Sequence, residues 1–209
     1  MRYKYPRTYH LPFSQGFTSD DKVLKDDSSF RGKEIVVTEK MDGENVSIYH
    51  DGFHARSVDS KHKSYHSWLL SEMYKFSYNI PKNMRICGEY LYAKHSIKYN
   101  NLPSYFTAFS LWENDVCLDW EDTEILCEEL GVELVPILWK GQYDAETIKK
   151  IAEETVARGG EGIVVRLACS FTYDEFSKSI AKYVRPNHVQ TDKHWSNSEI
   201  VKNGLKEKN

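Results

Sequence analysis

Residues 35–57 read IVVTEKMDGENVSIYHDGFHARS, and the fold is decided there. Residues 35–38 form a β-branched run, which reads as a strand. Asp42-Gly43 signals a turn. Residues 45–50 alternate, with Asn45, Ser47 and Tyr49 on one face and Val46 and Ile48 on the other. Asp51-Gly52 marks a second turn, and 53–57 returns as a strand. Lys40 sits directly behind the first strand, flanked by Glu39, Asp42 and Glu44. A surface turn tolerates such a cation, whereas a chemical site can require it.

The same reading extends outward. Residues 64–78 suit a helix with Trp68, Leu69, Met73 and Phe76 on one stripe. Strands are expected at 85–92, 105–112 and, after the Asn114-Asp115 hairpin turn, 116–120. A helix at 122–130 stops at Gly131, and one at 145–157 stops at Gly159-Gly160. Further strands are expected at 132–138, 162–166 and 179–184. Residues 1–30, with Pro6, Pro12 and Gly16, read as an extended leading segment. Strands dominate and helices intervene without a βαβ rhythm, so the class is α+β with mostly antiparallel sheets. No repeat and no Pro/Gly/Ser linker divides the chain. It reads as a single domain, 1–209: leading segment 1–30, core 31–186, polar tail 187–209, helical or frayed beyond Trp195.

With 40% hydrophobic and 28% charged residues, the 209-residue chain has material for a core and is not of disordered composition. A net charge of −3 excludes a global basic field, so a polyanion must be held by a local patch. Cys87, Cys117, Cys127 and Cys169 form no CxxC pair, which argues against structural zinc and disulfides and for a reducing cytosol. His54, His62 and His66 have no zinc spacing. The start, MRYKYPRTYHLPF, lacks an apolar signal region, and no run reaches membrane-spanning length. The expectation is a cytoplasmic protein without a membrane partner.

Only about one lysine amine in a thousand is neutral near neutral pH. Desolvation and neighbouring cations raise that share, and a neutral amine can attack phosphorus. The run Glu39-Lys40-x-Asp42-Gly43-x-Asn45-x-Ser47 resembles motif I of the covalent nucleotidyltransferases, the polynucleotide ligases and capping guanylyltransferases. It looks most like the RNA ligases similar to the second RNA ligase of phage T4. Further stretches resemble that family's motifs in order. Arg56-Ser57 resembles motif Ia, whose arginine binds phosphate, and Gly88-Glu89 resembles motif III, whose glutamate contacts ribose. The stretch 104–109, SYFTAF, resembles motif IIIa, whose aromatic ring stacks on the purine; register favours Phe106, with Phe109 as the alternative. Glu161-Gly162-Ile163-Val164-Val165-Arg166 matches motif IV, whose glutamate supports a divalent cation, and Lys182 opens a stretch like motif V. There the sequence departs from the family's Lys-x-Lys, since position 184 is valine. Arg185 can stand in only if the strand ends first, which Pro186 favours.

The resemblance implies a ligase adenylation fold, with the nucleotide cleft between antiparallel sheets. It implies ATP with Mg²⁺ or Mn²⁺, a lysyl-AMP on Lys40, and RNA carrying 5′-phosphate and 3′-hydroxyl ends. Glu39 would contact the adenine edge, Asn45 the phosphates and Lys182 the α-phosphate. Arg7, His10 and Arg185 are candidate phosphate or RNA contacts; Arg7 and His10 fall in a segment that alternatively covers a sheet edge. Lys182 to His188, with Lys193, His194 and Trp195, is locally basic and aromatic, which suits a nucleic-acid backbone or a solvated edge. The 27 residues after Lys182 leave no room for an OB domain. A bare catalytic domain, alone or with a partner protein for substrate handling, is therefore expected. The rivals are a DNA ligase or capping enzyme, or a non-catalytic nucleotide- or RNA-end-binding subunit.

Overall fold

The computed structural model describes residues 1–186 and 200–207. The motif-bearing strands divide at Lys40. Strand β2 (Glu34–Glu39) belongs to one sheet, while β3 (Glu44–Tyr49) and β4 (Gly52–Ala55) belong to another. The 40–43 stretch is thus a crossing between sheets rather than a hairpin turn. Gly43 has a negative φ; an added Cβ would lie 2.5 Å from the Tyr90 carbonyl oxygen. Close approach, not a special turn conformation, requires this glycine.

The remaining elements in chain order are β1 (Tyr9–His10), α1 (Ser67–Met73), β5 (Met84–Tyr90), β6 (Phe106–Glu113), β7 (Val116–Cys117) and α2 (Trp120–Leu130). After them come β8 (Ile137–Gln142), α3 (Ala145–Ala157), β9 (Gly162–Leu167), β10 (Phe171–Thr172), α4 (Phe176–Ser179) and β11 (Ile180–Val184). The first sheet runs β1-β11-β9-β2-β8 and the second β10-β7-β6-β5-β3-β4. Pairing is antiparallel except between β1 and β11, where His10 lies in register with Lys182. The leading segment therefore does cover a sheet edge.

Period-two alternation sorts each sheet into two faces. Ile35, Val37, Ile163 and Val165 share a buried cluster with Ile148 and Ala152 of α3. On the second sheet, Val46, Ile48, Ile86 and Ala108 cluster with Leu69 and Met73 of α1 and Cys127 of α2. Helices α2 and α3 start where Asp119 and Asp144 accept backbone N–H groups from Asp122 and Thr147. Helix α2 ends at Gly131, in the left-handed region at φ 64°.

Three expected elements shift. The helix expected over 64–78 is α1 alone, flanked by 3-10 turns; Tyr74, Ser77 and Asn79 are weaker helix formers, and Phe76 at φ −132° leaves the helical region. The strand expected at 132–138 begins at Ile137, because Pro136 has no N–H to donate, and Trp139 to Gln142 complete its pairing with β2. Residues 200–207 are extended, not helical. Asn203, 3% exposed, donates to the Leu91 carbonyl and accepts the Tyr99 N–H. His188, Lys193, His194 and Trp195 lie outside the described residues.

Candidate active site

The uncommitted faces of the two sheets meet across a cleft of about 1300 Å³. The first sheet turns Thr38, Val164 and Lys182 into it; the second contributes Asn45, Glu89 and Phe109. Lys40 extends the β2–β9 ladder by one bond, its N–H donating to the Gly162 carbonyl at 2.9 Å. That bond fixes where the side chain leaves the strand. Its Nζ lies 2.7 and 2.8 Å from the two oxygens of Glu161, the residue before β9. The pair is largely buried, with side chains 24% and 4% exposed.

Burial alone would favour a neutral Lys40. The charges of Glu161, Glu89 and Asp42 outweigh it and hold the amine's pKa above the ordinary lysine range. The resting group is therefore an ammonium ion, not the uncharged amine expected from the resemblance of motif I. Asp42 is buried near it and accepts at 2.7 Å from the Ser96 N–H, the Ser96 hydroxyl and the Ile97 N–H. Those donors outweigh burial and keep its carboxyl below the usual range.

Glu89 stands in register opposite Asn45 and accepts from the Gly43 N–H at 3.1 Å. Burial pushes its carboxyl up to about 8, against the pull of Lys40 and with a further push from Glu161. Asn45 Oδ1 is buried without a hydrogen-bond partner among the described residues, so it is a ready acceptor facing the cleft. Arg56 is exposed just beyond β4 and lines the cleft. Lys182 has its pKa lowered by burial and then by the charge of Lys40.

Several assignments change. Phe106 is 4% exposed and packs against the backbone of Gly88 inside the core, so it is not on the cleft wall. Phe109, three residues on, falls on the opposite face of β6 and lines the cleft. Ser47 shares the face of Asn45 but lies deeper, fully buried and 3.3 Å from Cys87 Sγ, and does not line the cleft. Gly162, at φ 155°, leaves room for the neighbouring strand: an added Cβ would fall 1.9 Å from the Tyr183 carbonyl oxygen. Strand β11 ends before Arg185, whose N–H donates to the Glu161 carbonyl and whose guanidinium reaches Ser96 Oγ at 3.5 Å across the cleft. Arg7 is exposed on the cleft rim, donating to the Asp20 carbonyl, and His10 is buried beside Lys182.

The structure adds two groups that the motifs do not mark. Arg158, directly before Gly159-Gly160, lies 3.5 Å from Glu39. Asp21 lies 3.6 Å from Lys182 Nζ. No sequence spacing announces either, because both partners are brought in by folding. Among the described residues no three His, Cys, Asp or Glu side chains gather into a metal cage. Glu161 and Glu89 do place two carboxylates in one cleft, a donor set that suits a hydrated Mg²⁺ or Mn²⁺ sharing substrate phosphates. No helix among the described residues is long and apolar enough to cross a membrane.

The RNA ligase family model matches residues 33–184. Among solved structures, an archaeal ATP-dependent RNA ligase superimposes with a TM-score of 0.59 at 19% identity, over 84% of this chain and 48% of that one. A Naegleria gruberi RNA ligase with pyrophosphate gives 0.56 at 19% identity, over 86% and 57%. A putative ATP-dependent DNA ligase from Aquifex aeolicus gives 0.59 at 20% identity, over 88% and 50%. Another structure of the Naegleria enzyme holds ATP and Mn. At such identities the likeness shows a shared α+β fold, and this chain spans about half the length of these structures. No curated protein matches the sequence.

Proposed function

Since this chain belongs to the RNA ligase family, we propose that it is an ATP-dependent RNA ligase with Lys40 as the nucleophile. The observation that carries the reading is the contact of Lys40 Nζ with Glu161, 2.7 Å apart, in a cleft shared with Lys182 and Glu89. In this reading Glu161 orients the Lys40 amine, and the ammonium proton passes to solvent water as the nucleotide binds. The freed lone pair of Nζ attacks the α-phosphorus of ATP, a P–N bond forms, the P–O bond to the leaving group breaks, and pyrophosphate departs. An oxygen of a 5′-phosphate RNA end then attacks the phosphorus of the lysyl-AMP, the P–N bond breaks, Lys40 leaves as a reprotonated amine and AMP is carried on the RNA end. A 3′-hydroxyl, giving up its proton, attacks the 5′-phosphorus and expels AMP to seal the phosphodiester. A divalent cation, Mg²⁺ in this reading, supplies charge neutralisation on the phosphates; Glu161 and Glu89 are the residues that would hold it.

Phe109 replaces Phe106 as the ring that stacks on the purine. Glu39, steadied by Arg158, accepts from the adenine amino group, which favours ATP over GTP. Asn45 and Glu89 meet the sugar or phosphates, and Arg56 and Lys182 the phosphate oxygens. Residues 1–209 act in this reading as one adenylyltransferase domain in the cytoplasm, and a partner protein handles RNA away from the cleft.

Intact-protein mass spectrometry after incubation with ATP and Mg²⁺ tests the proposal. An AMP adduct is expected, absent from Lys40→Ala and not replaced by a GMP adduct with GTP. Sealing of nicked RNA in preference to nicked DNA is expected alongside. An unmodified mass with either nucleotide overturns the reading.

A further inference from the structure

His10 is 1% exposed, yet one of its ring nitrogens is left over. Its Nδ1 lies 2.8 Å from Ser14 Oγ, and that oxygen already accepts the Val184 N–H at 3.1 Å. With the Asp21 carboxylate facing the other nitrogen, the ring proton is assigned to Nε2, and the hydroxyl hydrogen of Ser14 then points to Nδ1. Nε2 has no hydrogen-bond partner among the described residues, and the ring lines the cleft. Burial, helped by the charge of Lys182, pushes the His10 pKa down to about 4, so the ring is a neutral N–H donor at neutral pH.

Asp21 points one oxygen at this donor. Its Oδ2 takes the N–H and the hydroxyl of Thr18, each at 3.1 Å. Its Oδ1 lies 3.7 Å from His10 Nε2 and 3.6 Å from Lys182 Nζ. Both distances exceed a hydrogen bond. An anionic oxygen thus sits between a buried N–H and an ammonium, within charge-pairing distance of both and hydrogen-bonded to neither.

We propose that His10 Nε2–H and Lys182 Nζ form a seat for one phosphate oxygen, and that Asp21 guards this seat as a built-in competitor displaced when a phosphate ligand arrives. The seat follows from the geometry alone. Its source of phosphate rests on the ligase reading and is either the triphosphate tail of the nucleotide or the 5′-phosphate of an RNA end. Lys182 already carries a proposed role, whereas Asp21 gains one here: it sets how readily the cleft admits anions and keeps two buried donors compensated in the resting state.

Calorimetric titration of the whole chain with pyrophosphate, and with 5′-phosphorylated and 5′-hydroxyl oligoribonucleotides, tests this. Asp21→Asn removes the competing charge from a partly exposed turn and is expected to tighten phosphate binding by about threefold to fivefold. His10→Phe keeps the ring volume, removes the donor, and is expected to weaken it by about tenfold. A response to pyrophosphate assigns the seat to the triphosphate tail. A response confined to the 5′-phosphorylated strand assigns it to the RNA end. If Asp21→Asn binds every phosphate ligand as the natural chain does, the proposal is wrong, whether or not His10→Phe folds. Adduct formation on Lys40, measured separately, keeps that failure distinct from failure of the ligase reading.

Discussion

Replacing Glu161 by glutamine separates the two things its carboxylate does. The ion pair with Lys40 joins a side chain 4% exposed to one 24% exposed, at 2.7 Å. Removing one partner of a buried pair costs about 3–5 kcal/mol. The amide can still accept one hydrogen bond and Lys40 keeps some solvent, which places Glu161→Gln at the lower end, about 3 kcal/mol. For a chain of this size that corresponds to a drop in Tm of about 6–12 °C. A double-mutant cycle with Lys40→Met, followed by urea unfolding at neutral pH, isolates the coupling. The double variant should lose less than the sum of the two single variants, because neither charge is stranded. The pair also has a pH signature. The folded-state pKa of Lys40 is raised, so its stabilisation is complete below the ordinary lysine pKa and is lost as pH climbs through the folded value. The stability difference between the natural chain and Glu161→Gln should therefore shrink in strongly alkaline buffer. Additive single variants, or a difference that grows with alkalinity, would refute the reasoning.

Phe109→Ala should weaken nucleotide binding by about 1–3 kcal/mol with a small change in Tm, while Phe106→Ala should cost about 3–5 kcal/mol of stability; paired binding and melting curves separate them. Glu89, whose carboxyl is pushed up to about 8, contributes stability that is present below the ordinary carboxylate pKa and lost as pH rises through about 8. Glu89→Gln should flatten the stability–pH profile across that window, read by urea melts at several pH values. Gly162→Ala forces a methyl to within 1.9 Å of the Tyr183 carbonyl. It should pry β11 from β9 and cost more than about 3 kcal/mol, seen as faster amide exchange along both strands.

Local pattern carried most of the fold. The β-branched run at Ile35, the alternation through Ile48 and the helix from Ala145 to Ala157 all lie where period and caps put them. What eluded the sequence was long-range. Alternation puts Phe106 and Phe109 on opposite faces of β6 but does not say which face meets the cleft, because that depends on how the two sheets pack. Ser47 was placed on its proper face, but depth along that face depends on how the two sheets close together. Gly43 was read as a turn residue, whereas crowding by the Tyr90 carbonyl, a tertiary fact, is what requires it. Asp21 and Arg158 join the cleft through turns whose destination no local signal encodes.

The parallel pairing of Tyr9 with Ala181 has a consequence for biosynthesis. The wall of the cleft that carries His10 is completed by β11, the last strand among the described residues. A nascent chain emerging from the ribosome therefore holds Lys40 long before it holds Glu161 or Lys182, and the buried ion pair of Lys40 cannot form until the residue before β9 has emerged. Tyr9 and His10 must wait for β11 before they have a partner strand, so the cleft closes only once that strand is in place.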